Sequence, residues 1–312
     1  MNFADRRTIL EKQGYRIVGN HSAIKICYYC KTSIRGNDKC YKNKFYNIDS
    51  SRCIQASLTL DICNLRCQWC WRDISYSGFG SKFNDKPEDI IKGLIEEQKK
   101  ILVGFYGNKK ILRKNVDNAM DPMHVALSLS GDACLYQKLP ELIDLIHKKG
   151  MTSFVVTNGT FPEMIRKLIN HQPTQIYITL PAPDKRTFIE VCRPFSRGSW
   201  SKIMKSLKLL KHFKRGTVRL TLYNGINMLN PEGYAKVLKD VNFKFLEVKA
   251  AMPVGYAQYR LKYSDMPLHS EIKRFAKKIA KINKLKIIDE KKNSRVVLLM
   301  KNDSKDRKLK FI

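Results

Sequence analysis

The chain has 312 residues, 43% of them hydrophobic and 10% aromatic, and basic residues exceed acidic ones by 31. This is the profile of a folded globular protein long enough to bury a sizeable core, not of a disordered or collagen-like one. The charged opening MNFADRRTILEKQ lacks the apolar stretch of a signal peptide, and no run approaches the roughly 20 apolar residues that span a bilayer, so a cytoplasmic protein without a membrane anchor is expected. The basic excess points to a polyanionic partner, the plainer reading being a general lysine bias.

Seven of the nine cysteines fall in the first quarter: Cys27, Cys30, Cys40, Cys53, Cys63, Cys67 and Cys70. In a reducing compartment, clustered thiols in odd number read as metal ligands rather than disulfides. Cys134 and Cys192 have no partner in sequence and are expected to be buried core thiols.

Beyond the cysteines, two textures alternate. Short apolar or β-branched runs predict strands at Ile54–Leu60, His124–Leu129, Ser153–Thr157, Gln175–Leu180, Val218–Leu222 and Phe243–Ala250. Between them, helical spacing predicts Pro87–Val103, Leu139–Lys149, Pro162–Asn170, Trp200–Lys214 and Pro231–Val241. Apolar strands alternating with amphipathic helices indicate a parallel sheet covered by helices. Six strands are too few for a closed eight-fold barrel, so the expected α/β fold is a partial, open TIM-like (β/α)6 barrel. A helix at Leu268–Ile282, a strand at Arg295–Met300 and a frayed basic tail complete the reading. The expected division is a Cys-rich N-terminal extension over 1–53, the barrel over 54–265 and a basic C-terminal extension over 266–312, with no boundary that separates a second independent domain. In such a fold the chemistry sits on loops after the strands. Ser130-Gly131-Asp132, Thr157-Asn158-Gly159 and Pro181-Ala182-Pro183 fall there, although each is also ordinary turn chemistry.

The strongest motif is Cys63-Asn-Leu-Arg-Cys67-Gln-Trp-Cys70, directly after the first strand. Three thiolates at this spacing suit a 4Fe-4S cluster, and leave one of its four irons without a protein ligand. That arrangement resembles the radical S-adenosylmethionine enzymes, in which the open iron chelates the methionine end of the cofactor and an electron releases a 5′-deoxyadenosyl radical. Trp69 is placed to pack against the adenine. The competing reading is a structural zinc site, with Cys27-Tyr-Tyr-Cys30 as the nearby pair. Cys27, Cys40 and Cys53, 13 positions apart, form a second possible trio from three converging segments, with Cys27 and Cys30 an equally good local pair.

The segments around Cys40–Phe45, Ser51–Cys53 and Cys63–Arg72 resemble the tRNA 4-demethylwyosine synthases. The likeness continues in SLSGDACLYQKLPEL, TNGTFPE, VCRP and MPLH, so it covers nearly the whole chain, in the compact archaeal-type form. The resemblance implies a fold of the radical SAM type. It also implies a lyase-like synthase of wyosine biosynthesis that condenses N1-methylguanosine, next to the anticodon of tRNA(Phe), with two carbons of pyruvate. Cys63, Cys67 and Cys70 would hold the cluster that cleaves S-adenosylmethionine, and Cys27, Cys40 and Cys53 a second 4Fe-4S cluster, with Cys30 a bystander or substitute. Lys42 matches a family lysine proposed to form a Schiff base with pyruvate. Ser130, Gly131, Asp132, Asn158, Thr179 and Trp69 fall to the cofactor pocket. The chain departs from the family pattern at Gly131-Asp132-Ala133, commonly Gly-Glu-Pro, and at Pro181, often Asp. An electron donor is required, and a monomer is expected. Arg52, Arg72 and the Lys109–Lys114 stretch are candidates for the rim that meets the anticodon loop.

Overall fold

The computed structural model describes residues 3–76 and 83–311. In chain order its elements are α1 (Phe3–Lys12), β1 (Arg16–Val18), β2 (Ser22–Ile24), α2 (Tyr28–Ile34), α3 (Tyr41–Tyr46), β3 (Cys53–Ser57), α4 (Pro87–Val103), α5 (Arg113–Ala119), β4 (His124–Leu127), α6 (Leu139–Lys148), β5 (Thr152–Thr157), α7 (Pro162–Lys167), β6 (Gln175–Thr179), α8 (Lys185–Cys192), α9 (Ser199–Leu209), β7 (Gly216–Leu222), α10 (Pro231–Lys239), β8 (Phe245–Ala250), α11 (His269–Asn283), β9 (Lys286–Lys291) and β10 (Val296–Met300). One sheet runs β1-β2-β3-β4-β5-β6-β7-β8-β10-β9. The six strands from β3 to β8 pair in parallel, while β1, β2, β9 and β10 add antiparallel flanks. The ends of that order do not pair, so the barrel is partial and open. All six expected parallel strands are present, with ends that differ from the expected ones by no more than three residues, β5 and β7 running longer than expected. The expected helix over 200–214 stops as α9 at Leu209 and continues as a tighter turn over Leu210–His212.

Side chains on each strand alternate between two cores, as the pleat requires. Val155, Ile176, Ile178, Val218, Leu220, Leu246, Val248 and Val297 face outward and pack under the helices. Ala126, Phe154, Tyr177, Phe245, Val296 and Leu298 face inward. The inner core is completed by α3, whose Tyr41, Phe45 and Tyr46 pack among them. The helix is short because Asn47 ends it in the left-handed region, φ 65°, a conformation asparagine tolerates better than most residues. α3 therefore plugs the barrel and carries Lys42 with it.

The basic tail is not frayed. Residues 307, 309 and 311 turn inward while their neighbours stay exposed. Arg215 donates to the carbonyls of Asp306 and Arg307, Arg307 donates to the Phe45 carbonyl, and the Leu309 amide donates to the Tyr46 carbonyl. Phe311 packs against the ring of His124 at 5.0 Å between centroids. The lysines that suggested fraying are simply the solvent face of an extended segment.

Candidate active site

The loop after β3 carries Cys63, Cys67 and Cys70, and its course is held by backbone contacts from across the barrel. The Arg66 amide donates to the Cys192 carbonyl at 2.8 Å, and the Gln68 amide to the Val191 carbonyl at 3.0 Å. Arg260 donates to the carbonyls of Gln68 and Cys70. Arg72 was expected at an RNA-facing rim but lies buried, donating to the Leu65 carbonyl at 2.7 Å and the Asp61 carbonyl at 3.4 Å. Its guanidinium is the nearby cation that opposes the upward push on all three thiols. Burial pushes Cys63 up to about 12 and raises Cys70; a hydrogen bond with Cys192, then burial, raises Cys67. Such thiols stay protonated until a thiophilic metal displaces the proton.

Asn158 donates from Nδ2 to Cys63 Sγ at 3.4 Å and to Asn64 Oδ1 at 2.9 Å. A cavity of about 150 Å³ opens there, lined by Cys63 and Cys67 together with Trp69, Gly131, Asp132, Asn158 and Thr179. Five of the six residues expected at the cofactor thus meet around one space. The sixth, Ser130, does not line it: its Oγ accepts from the Asp61 amide at 3.3 Å and its carbonyl from Ser57 Oγ at 2.5 Å. Asp132 lines the cavity, yet its carboxylate is turned to structural use. It accepts from Thr157 Oγ1 at 2.9 and 3.0 Å, the Asn158 amide at 2.8 Å and the Cys134 amide at 3.0 Å. Gly131, at φ +71°, is pressed so close to Thr59 that a Cβ would sit 2.1 Å from the Thr59 carbonyl oxygen. Only glycine fits there.

The members of the second trio lie within electrostatic reach of one another. Cys27 and Cys40 stand at the starts of α2 and α3, and Cys53 begins β3. Cys27 acts electrostatically on Cys40 and on Cys53, and Cys40 on Cys53. Burial pushes Cys40 up to about 11 and Cys53 up to about 12, against the pull of the Lys42 cation. Cys30 is buried and directed at the Ser51 carbonyl oxygen, 3.4 Å away. Among the described residues no three His, Cys, Asp or Glu side chains converge on a single ion. Thiolates around an iron–sulfur cluster each take a different iron and need no such convergence. The soft, all-sulfur character of both trios fits that kind of group.

Lys42 projects from α3 into the barrel, with Nζ 4.8 Å from the Phe154 ring centroid and 4.9 Å from that of Tyr177. Burial, then the Arg219 cation, lowers its pKa. Among the described residues its Nζ has neither a hydrogen bond nor an ion pair. Around it lies a polar network that the sequence reading missed. Glu247, fully buried, accepts from Tyr41 Oη at 3.0 Å, Tyr46 Oη at 2.7 Å, and Arg219 Nε and Nη2 at 3.0 and 2.9 Å. Lys249, two residues along β8, is brought down to about 8 by burial and by Arg219. The signal was present: Arg219, Glu247 and Lys249 are charges inside strands that are otherwise apolar. Of the remaining rim candidates, Arg52 is paired with Asp121, and Lys109, Lys110 and Lys114 are exposed. Cys134 and Cys192 are both buried.

A relative from Pyrococcus abyssi, an S-adenosyl-L-methionine-dependent tRNA 4-demethylwyosine synthase, is 41% identical over 302 residues, 95% of this chain and 88% of its own length. The chain belongs to the tRNA 4-demethylwyosine synthase family. As such it is a radical S-adenosylmethionine enzyme that modifies tRNA. The Radical SAM superfamily model matches residues 57–240, and the model for Wyosine base formation matches 241–301. Among solved structures, TYW1 with a lysine-pyruvate adduct bound superposes with a TM-score of 0.90 at 35% identity, covering 99% of this chain and all of the other. An archaeal TYW1 crystal structure superposes at 0.81 with 32% identity and the same coverage. The synthase fold thus extends over the N-terminal plug and the docked tail as well as the barrel. No helix among the described residues is long and apolar enough to cross a membrane.

Proposed function

We propose that this synthase condenses N1-methylguanosine, next to the anticodon of tRNA(Phe), with pyruvate to form 4-demethylwyosine, and that Lys42 is the residue that captures pyruvate. The observation that carries this is the placement of Lys42: an amine in the barrel, without an ionic partner among the described residues, beside one cysteine trio. The lysine-pyruvate adduct named for the related TYW1 structure supports the same chemistry. Cys63, Cys67 and Cys70 would hold the cluster that binds S-adenosylmethionine against Trp69, Gly131, Asp132, Asn158 and Thr179, and Cys27, Cys40 and Cys53 a second cluster. When bound, the first cluster and its cofactor supply a carbon radical able to take hydrogen from the N1-methyl group.

The residues of the chain do the rest of the positioning. A neutral Lys42 amine adds to the C2 carbonyl of pyruvate, and the resulting carbinolamine takes up a proton from solvent and loses water, leaving an iminium fixed to α3. The amine is nucleophilic only when deprotonated, and burial with the Arg219 cation favours that form. Phe154 and Tyr177 wall the site with aromatic surface, which keeps bulk water from hydrolysing the adduct.

Borohydride reduction in the presence of labelled pyruvate, followed by peptide mass spectrometry, tests the assignment. Label is expected on the peptide containing Lys42 and lost in Lys42→Met. Label on another lysine, with product formation intact in Lys42→Met, overturns it. Anaerobic incubation with tRNA bearing N1-methylguanosine, reductant, S-adenosylmethionine and pyruvate tests the reaction itself through nucleoside mass spectrometry. Cys63→Ala is expected to abolish cofactor cleavage, and Cys40→Ala to spare uncoupled cleavage while blocking ring formation.

A further inference from the structure

A second cavity, of about 510 Å³, is lined by both ends of the 61–73 loop, through Asp61, Trp71, Arg72 and Asp73. Its volume falls within the roughly 300–1,000 Å³ of small-molecule clefts. None of the six cysteines assigned to clusters lines it, nor does Lys42, so it is not the place where the target base meets the reacting carbons.

Its walls are aromatic and cationic. Tyr15 and Trp71 lie nearly parallel, 19° apart with centroids separated by 6.3 Å, and Lys25 Nζ sits 5.0 and 5.4 Å from their rings. Tyr256 and Tyr259 also line it, edge to face at 6.0 Å. Tyr259 is 77% exposed, an unusual position for an aromatic ring with no surface to cover. The cavity is tied to the cluster loop, because the Tyr256 amide donates to the Trp71 carbonyl at 2.9 Å. Asp61 adds an independent sign. Its carboxylate pairs with Arg6 through Oδ2, but Oδ1 is buried and has no hydrogen-bond partner among the described residues. Folded proteins seldom leave such an acceptor unpaired.

Flat aromatic faces, a cation and a buried acceptor together suit a ligand with a π-face and an N–H edge. A nucleobase has both. Single-stranded loops offer unstacked bases for this kind of capture, on aromatic platforms within a positively charged surface. We propose that this cavity holds a nucleobase adjoining the target in the anticodon loop, stacked against Trp71 and Tyr259 with an N–H donor toward Asp61. The inference rests on the tRNA reading above. Clamping the neighbour would hold the loop open and present the target base to the barrel.

The test uses the cluster-loaded enzyme and an anticodon-arm hairpin carrying N1-methylguanosine, with 2-aminopurine at one loop position beside it, then at the other. Binding is expected to quench 2-aminopurine at one of the two positions only. Tyr259→Ala should remove that quench and weaken binding about tenfold or more, with Tyr259→Phe restoring both, as loss of one stacked base predicts. Lys25→Met should weaken binding in the same direction. Tyr263→Ala, another exposed tyrosine outside the cavity, should match the wild type. Circular dichroism and iron content of each variant report whether it folds. Quenching at neither position, or Tyr259→Ala within twofold of wild type, overturns the cavity while leaving the substrate reading intact. Equal affinity of the wild type for a duplex of the same length would reduce the contact to charge alone and overturn it as well. Absence of any wild-type binding to the hairpin would refute the substrate reading together with the cavity.

Discussion

Replacing Glu247 by leucine tests whether the network inside the barrel is a linked unit. The carboxylate is fully buried and accepts four hydrogen bonds, two from Arg219 and one each from Tyr41 and Tyr46. Its removal strands the Arg219 guanidinium, which keeps the Tyr41 hydroxyl oxygen at 2.8 Å and the Tyr177 ring at 4.3 Å but no carboxylate. A buried charge that loses its partner costs about 3–5 kcal/mol. The two tyrosine hydroxyls add about 1 kcal/mol each where they find no new acceptor. With a urea dependence of about 3 kcal/mol per M or more for a chain this size, the unfolding midpoint should fall by roughly 1–2 M. The double variant Arg219→Leu with Glu247→Leu removes both charges, and should recover at least about 2 kcal/mol of the loss. Urea titrations followed by far-ultraviolet circular dichroism, on matched cluster-free preparations, supply the cycle. A single variant that loses less than about 1 kcal/mol, or a double variant no better than the sum of its parts, would refute the reasoning.

Arg219→Gln keeps a donor for Glu247 but removes the cation that lowers the Lys42 pKa. Trapping of pyruvate at Lys42 should then require a higher pH, read as an alkaline shift of the labelling profile. His124 is buried, its Nε2 accepting from the Asp49 amide at 3.2 Å, and burial brings its pKa down to about 4 from 6.5. Its folded value lies below the unfolded one, so the unfolded chain binds the extra proton between these limits. Stability from this group is full above about pH 6.5 and declines as the pH falls toward 4, by up to about 3 kcal/mol; His124→Phe should flatten that part of the stability–pH curve. Asn158→Ala removes a hydrogen bond to Cys63 sulfur and should make the cluster held there harder to reduce, read by spectroelectrochemical titration as a more negative potential. Truncation after Asn302 removes the segment that satisfies Arg215 and packs Leu309 and Phe311 on the inner core. It should lower the melting temperature by several degrees, on the order of a 2–4 kcal/mol loss.

The parallel strands were legible because their outward residues, such as Ile176, Ile178, Val218 and Leu220, form unbroken apolar sets under amphipathic helices. The inward set was harder to read, since Tyr177, Arg219, Glu247 and Lys249 follow no simple hydrophobic rule. They face α3 and one another inside the barrel, Arg219 lying against both Glu247 and the Tyr177 ring. That helix, α3, escaped notice because it is six residues long and buries its apolar face inside the barrel. The cysteine spacing was visible at once, but the Asn158 contact with Cys63 joins positions 95 residues apart, which no local pattern encodes. Arg72 looked like a surface charge because composition does not distinguish a guanidinium that meets phosphates from one that meets buried carbonyls. The tail misled for a related reason: alternate lysines hid the inward Leu309 and Phe311.

The plug in the barrel also imposes an order on biosynthesis. Tyr41 and its partner Glu247 are 206 residues apart. At about 5–20 residues per second, roughly 10–40 s pass between their emergence from the ribosome. Until β8 is made, the helix bearing Lys42 has no carboxylate to anchor its two tyrosines, and until the tail follows, the Phe45 and Tyr46 carbonyls lack their donors. A prematurely ended chain therefore has a cysteine loop but no seated lysine. Seating of Lys42 inside the barrel is thus made conditional on segments translated long after α3, namely β8 and residues 307–309.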